Sequence, residues 1–292
     1  MASDDRHGIH LIELAKNKDP RGNLSVIESG VDVPFKVMRN YWIYDVPSGM
    51  WRDGHAFKVQ QEFIVALSGS FDVIVNDGGH EQVFHLSRPQ IGLYIPNMSW
   101  RRIDNFSTNS VALVLSSTIY DPDDYIEEFE DYIKAKNDGK MNSIDRLEVH
   151  NSSRIKDCCI INLNKHHHAN GNLTAVNNGV ELPFDIQRTF YIYDVPGGAE
   201  RGGHSHYLCH EFIIAISGSF DVTIDDGFNC STHTLNRPYQ GLLVVPGIWR
   251  TLHNFSSGSV CLALASHHYD ELDYVRSYEK YIELKHSSEK NK

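Results

Sequence analysis

The chain has 292 residues, 41% of them hydrophobic, which is enough for one or two domains with a full buried core. A formal net charge of −11 and an isoelectric point near 5.8 argue against a nucleic-acid partner, but a local arginine cluster could still hold a phosphorylated small molecule. The five cysteines are odd in number and follow no disulfide spacing. The N-terminus MASDDRHGIH lacks an apolar signal core, and no apolar run approaches the roughly 18 residues that span a bilayer, so a reduced, cytoplasmic, membrane-free protein is expected.

In chain order, one block is written twice. An apolar stretch (His10 to Leu14) leads to GNL, then to the β-rich VMRNYWIYDV, which Pro47 stops. RDGHAFKVQQ follows, then EFIVALSGSFDVIVNDGG, which reads as hairpin strands ending in an Asp-Gly turn. FHLSRPQIGLYIP and VALVLSS are further strands. DPDDYIEEFEDYIKAK reads as a closing helix that starts near an Asp and places Tyr125, Phe129 and Tyr132 at helical spacing, as core packing. A charged linker, Asn137 to Val149, separates this block from its copy. Cys158 to Leu163, an expected loop HHH (166–168), GNL, IQRTFYIYDV, RGGHSHYLCHEFIIAISGSFDV, HTLNRPYQGLLVVP and VCLALAS repeat the order, and DELDYVRSYEKYIELK repeats the helix with Tyr274, Tyr278 and Tyr281. His55 and His204 lie 149 residues apart, and the same offset joins Gly22 to Gly171, Trp100 to Trp249 and Tyr120 to Tyr269. The chain is therefore two copies of one domain, with expected bounds 1–136 and 150–292. Many short strands with turn signals at close spacing predict an all-β sandwich or barrel for each.

Within Gly198 to Gly218 the chain reads G-x5-H-x-H-x4-E-x6-G, with His204, His206 and Glu211 at the fixed places. This resembles the first motif of the cupins, which implies two tandem jelly-roll β-barrels, each with a short C-terminal helix. Alternate residues of a strand face one way, so His204 and His206 are expected on one side. Two imidazoles and a carboxylate either bind a metal or move protons. Metal cupins resemble one another in a third His four residues before an Asn. Here Arg250 precedes Asn254 by four, and Arg101 so precedes Asn105. A guanidinium cannot ligate a cation and attracts an anion, so no metal and no cofactor is expected. Arg39/Arg188, Arg52/Arg201, Arg88/Arg237 and Arg101/Arg250 recur in both copies and, with Glu211, are the candidate substrate-binding residues for an anion such as a pyrophosphate.

YIYDVPGGAERGGHSH, ISGSFDV, LNRPYQGL, PGIWR and NFSSGSVCLALAS resemble the dTDP-4-keto-6-deoxyglucose 3,4-ketoisomerases, the WxcM-like sugar ketoisomerase cupins, across nearly all of both copies. The resemblance implies a metal-free isomerase acting on dTDP-4-keto-6-deoxyglucose in deoxyamino-sugar biosynthesis for a surface glycan. It implies catalytic roles for His204 and His206, and a proton relay at the position of Tyr41. It also implies a tandem chain that mimics a homodimer with exchanged N-terminal strands and could dimerise further. Two departures stand out. Copy one has Tyr41 and His55 but Phe57 in place of the second His, whereas copy two has both His residues but Phe190 in place of the Tyr. Copy two, keeping the pair, is the expected working site. A metal-dependent cupin enzyme and a non-catalytic sugar-nucleotide-binding cupin are the competing classes, separable by metal analysis and by turnover.

Overall fold

In a computed structural model the described residues are 8–138 and 155–290; the N-terminal residues 1–7 and most of the expected linker 137–149 lie outside them. The fold is all-β, with two α-helices among the described residues, Phe129–Asp138 and Tyr278–Lys290. No helix among the described residues is long and apolar enough to cross a membrane.

Two compact units interleave the repeats. One contains residues 8–15, 30–138 and 164–183, and the other contains 16–29, 155–163 and 184–290. The first, the N-terminal unit, has two sheets. Its seven-stranded sheet runs His10–Glu13, Ile91–Ile95, Glu62–Ser68, Val111–Ser116, Arg39–Tyr44, Gly171–Asn177, Lys165–His168. Its five-stranded sheet runs Tyr125–Ile126, Arg52–Phe57, Trp100–Asp104, Phe71–Asn76, Glu81–Leu86. All ladders are antiparallel, and alternate residues of the two sheets (Ile64, Ala66, Val73, Val75, Ile103, Val114) form the core between them. The C-terminal unit repeats this arrangement, with Asn23–Glu28 beside Arg188–Tyr193 in the place that Gly171–Asn177 takes beside Arg39–Tyr44.

The GNL triplet fixes that docking. Gly171 has φ +115°, and a Cβ there would lie 2.8 Å from Val46 Cγ2; Gly22 has φ +118° and the same approach to Val195. Only glycine combines that dihedral with so close a backbone. The following asparagine ties the strand down: Asn172 Nδ2 donates to Asp45 at 2.9 Å in one unit and Asn23 Nδ2 to Asp194 at 2.9 Å in the other.

Two expectations need correction. The segment read as helix from Asp121 is a 3-10 turn (Pro122–Asp124), then the short strand Tyr125–Ile126, and the helix starts at Phe129. Tyr125 and Ile126 pair with Phe57 and Ala56, so strand pairing overrides the helical spacing. Tyr132 and Tyr281 are core as expected, but Tyr125 and its equivalent Tyr274 are not on the helix stripe. The 166–168 histidines also form no loop: they belong to the strand Lys165–His168, paired with Gly171–Thr174.

Candidate active site

In the C-terminal unit the strand Arg201–His206 crosses Trp249–His253. Its register slips at Gly203 (φ +66°), a bulge that brings His204 opposite Arg250. Bulges re-aim side chains beside functional sites. The rings of His204 and His206 then lie on one side, with centroids 5.0 Å apart, and the Tyr274 ring packs on both, at 4.8 and 4.3 Å.

The two imidazoles differ in their surroundings. His206 is buried and fully engaged. Its Nδ1 is 2.9 Å from Asp273 Oδ2, and its Nε2 is 3.2 Å from both Glu211 Oε1 and Arg250 Nη2. If Arg250 donates to Nε2, the ring is neutral and Nδ1–H goes to Asp273; if Nε2 is protonated, the ring bridges two carboxylates as an imidazolium. In either state Asp273 receives Nδ1–H. Asp273 is itself held by the N–H groups of Leu208 (2.7 Å) and Cys209 (3.2 Å). His204, by contrast, has two buried ring nitrogens without a well-formed hydrogen bond. Burial, then the Arg250 charge, holds its pKa well below the ordinary imidazole range, so it is a neutral base.

Glu211 is buried beneath them, paired with Arg250, whose Nη1 also donates to the His204 carbonyl at 3.0 Å. Burial alone would raise the Glu211 pKa, but Arg250 and His206 hold it well below the usual carboxylate range. His204, His206 and Glu211, and separately His206, Cys209 and Asp273, are close enough to share an ion. The first set suits a cation poorly, because Arg250 already places a permanent positive charge on Glu211 and His206. In the second, burial pushes the Cys209 thiol up to about 11, away from the thiolate a metal needs.

In the N-terminal unit, His55 stands opposite Arg101 in the same register. Arg101 pairs with Glu62 (2.7 Å), and both bond the Tyr41 hydroxyl, which donates to Glu62 at 2.6 Å and accepts from Arg101 at 2.8 Å. Phe57 offers no polar atom; its ring lies 4.9 Å from His55 and 4.6 Å from Tyr125. A cleft of about 740 Å³ opens here, lined by Arg39, Arg52, His55, Arg101, Tyr120 and Tyr125 and, from the 164–183 segment, by His166, His168, Asn170, Asn177 and Glu181.

The paired arginines separate into four groups. Arg39 and Arg188 are buried; Nε and Nη1 of Arg39 and Nε of Arg188 find no hydrogen-bond partner among the described residues. Arg39 lies over the rings of Tyr41 (4.6 Å) and Tyr120 (5.2 Å), and Arg188 over Phe190 (5.4 Å) and Tyr269 (5.7 Å), while Arg188 Nη2 donates to Tyr274 Oη at 3.3 Å. Arg52 and Arg201 bond the docked strand, at Asn170 (3.1 Å) and at the Gly22 carbonyl (3.2 Å). Arg101 and Arg250 serve the buried glutamates. Arg88 is exposed in the turn before Ile91–Ile95 and does not line the cleft, and Arg237 takes the equivalent exposed turn. Sequence reading missed Asp273, Tyr125 and Tyr274, hidden in what looked like a helix start, and the strand Lys165–His168. The D-x-x-D-Y spacing shared by DPDDY and DELDY was the signal that could have marked the first three.

The chain matches the FdtA family, described as WxcM-like, C-terminal, over residues 7–137 and again over 156–286. It is 38% identical over 122 residues (42% of this chain, 88% of the relative) to the TDP-4-oxo-6-deoxy-alpha-D-glucose-3,4-oxoisomerase of Aneurinibacillus thermoaerophilus. Among solved structures it is similar to a 3,4-ketoisomerase from Helicobacter canadensis (36% identity, 44% of this chain and 98% of that one, TM-score 0.44). It is also similar to QdtA, a sugar 3,4-ketoisomerase from Thermoanaerobacterium thermosaccharolyticum in complex with TDP (33% identity, 46% of this chain and 98% of that one, TM-score 0.45).

Proposed function

This chain belongs to the FdtA family, and from that premise we propose that it isomerises TDP-4-keto-6-deoxyglucose to the 3-keto sugar. One observation carries this reading beyond the family: His204, a neutral imidazole whose buried nitrogens make no well-formed hydrogen bond, packs on the Tyr274 ring, whose hydroxyl accepts from Arg188, a guanidinium with a spare buried N–H. An uncharged base and a donor for an anionic oxygen are what enolisation requires.

The hydrogen on C3 is acidic because the C4 ketone adjoins it. His204 removes it, the C3–C4 enediol forms, and return of the proton to C4 with transfer of the O3 proton to O4 completes the change without gain or loss of atoms or electrons. His206 is too fully bonded to travel with the proton. It holds Glu211 and Arg250 in place and is itself oriented by Asp273. Tyr274, which accepts from Arg188 and packs on His204, serves the oxygens in this reading. Arg188 and Arg201 are assigned to the anionic parts of the substrate.

This chemistry would supply 3-amino-3,6-dideoxy sugars, and the free thiols Cys158, Cys159, Cys209, Cys230 and Cys261 fit a reducing cytoplasm. The test is an NMR time course with TDP-4-keto-6-deoxyglucose in D2O. The expected result is loss of the C3 proton signal and appearance of the 3-keto product. Exchange at C5 instead would mean epimerisation, and inertness with bound TDP would mean a binding protein.

A further inference from the structure

We propose that the N-terminal unit holds a second working active site, in which the Tyr41 phenol supports the buried Glu62–Arg101 pair as the His206 imidazole supports Glu211–Arg250. The inference rests on the isomerase reading for its substrate but not for its geometry.

Sequence alone makes Phe57 look disabling, because it removes an imidazole. The structure gives that imidazole's work to another residue. In each unit a fully buried Glu–Arg pair lies under the first histidine, and in each a third polar group closes the network. In the N-terminal unit the group is Tyr41, at 2.6 Å from Glu62 and 2.8 Å from Arg101. In the C-terminal unit it is His206, at 3.2 Å from both partners. The position not used is a phenylalanine each time: Phe57 where the other unit has His206, and Phe190 where the other has Tyr41. Two sequence differences that look like two separate defects are therefore one exchange of a polar and an apolar ring. A buried ion pair is worth keeping only if its remaining hydrogen-bonding capacity is largely satisfied, and in each unit one ring residue bonds both the Glu and the Arg; Gln60 Nε2 also donates to Glu62 at 3.0 Å, and Arg250 Nε finds no partner among the described residues.

The exchange leaves the base alone. His55 faces Arg101 as His204 faces Arg250, and Tyr125 packs on His55 (5.1 Å) as Tyr274 packs on His204 (4.8 Å). Arg39 keeps two buried N–H groups without partners, as Arg188 keeps one. The cleft above them, about 740 Å³, is within the range that holds a nucleotide sugar.

The test uses the full chain and single-site variants. If wild type turns over TDP-4-keto-6-deoxyglucose, His204→Asn and His55→Asn should each keep kcat within a few-fold of it, and the double variant should fall by about 10²–10⁴-fold. In the His204→Asn background, Tyr41→Phe should abolish the remaining turnover and a further Phe57→His should restore it, which a merely unfolded unit would not allow. Either single histidine variant falling as far as the double would overturn the proposal, and so would failure of Phe57→His to rescue a chain that melts normally. Calorimetric titration with TDP decides the binding half independently of turnover. Two TDP per chain support a second site even if the isomerase reading fails, and one per chain overturns it.

Discussion

Asp273→Asn and Asp124→Asn are one substitution made in two environments, of which one has an imidazole against the carboxylate. Asp124 Oδ1 and Oδ2 accept from the N–H groups of Val59 (2.7 Å) and Gln60 (3.0 Å), as Asp273 accepts from Leu208 and Cys209, so each carboxylate anchors the turn after its histidine strand. Only Asp273 also receives an imidazole N–H, because the position equivalent to His206 is Phe57 in the other copy. A hydrogen bond to a charged acceptor contributes about 1.5–3 kcal/mol. Since asparagine keeps one accepting oxygen, each variant should lose on the order of 1–2 kcal/mol of stability. Turnover should separate them. Asparagine turns its NH2 toward His206 Nδ1 or leaves it unpaired. The ring must then put its proton on Nε2, against the N–H of Arg250. With the His55→Asn background silencing the N-terminal unit, Asp273→Asn should lower kcat by about 10²-fold or more, the scale of a disturbed acid–base group. With His204→Asn silencing the other unit, Asp124→Asn should leave kcat within a few-fold. The assays are urea denaturation and the NMR time course, with KM recorded. Equal kcat losses, or an unchanged kcat in a folded Asp273→Asn chain, would remove the orienting role given to Asp273.

Other outcomes follow from the same geometry. Burial, then His267, holds His210 at about 4 against the usual 6.5, so at pH 5 the unfolded chain binds a proton that the folded chain refuses, at a cost of about 2 kcal/mol. His204 acts in the same direction, so Tm should fall as pH drops from 7 to 5, and His210→Gln should flatten the slope. In the His55→Asn background the acid limb of kcat/KM should lie below pH 6.5, because the remaining base, His204, stays neutral there; a limb at or above 6.5 would mean another group is the base. Arg188→Lys removes the spare Nε–H and should weaken TDP binding about 10-fold or more by calorimetry, at the scale of one charged hydrogen bond. Gly171→Ala meets both the left-handed φ and the 2.8 Å approach to Val46 and should cost at least about 1–3 kcal/mol in urea.

The repeats, the strand sequence and the all-β class are legible because period-2 alternation and turn residues are local signals, as in EFIVALSGSFDV. The histidine pair is legible for the same reason: two residues apart on a strand means one face. What was not legible depends on partners distant in sequence. Nothing local says that Gly171–Asn177 will lie beside Arg39–Tyr44, so the 166–168 histidines read as an exposed loop although His166 and His168 line the cleft with Arg52 and His55. Nothing local tells Tyr125 that its edge-strand pairing with Phe57 will outweigh a helix one turn later. The arginines were legible as a set but not by role. Arg250 and Arg101 are bound into buried ion pairs, Arg39 and Arg188 keep donors to spare without such a pair among the described residues, and Arg88 is outside the cleft; spacing alone does not distinguish these.

The exchange of tyrosine and histidine also explains why two imperfect copies can coexist in one chain. Suppose copy one carried both Tyr41 and a histidine at 57. Two groups would then compete for the same free edge of Glu62 and Arg101, and the loser would be a buried polar atom without a partner, costing about 1–3 kcal/mol. Suppose it carried neither. The Glu62–Arg101 pair would then keep its charge and the Gln60 hydrogen bond but lose the ring group that bonds both partners, in a place where burial makes each bond count. The two intermediate states, one polar and one apolar ring, each set one ring group against both the Glu and the Arg, and they differ in which strand supplies the polar atom. A homodimer of single domains must adopt one state twice, whereas a fused pair can hold one of each. Phe57→His in an otherwise unaltered chain, with Tyr41 kept, is therefore expected to be worse than wild type: Tm should drop by a few degrees for about 1–2 kcal/mol, and the same histidine added together with Tyr41→Phe should bring Tm back. A Phe57→His chain as stable as wild type would mean that the site has room for both groups, and that the pattern in the two copies is not a coupled exchange.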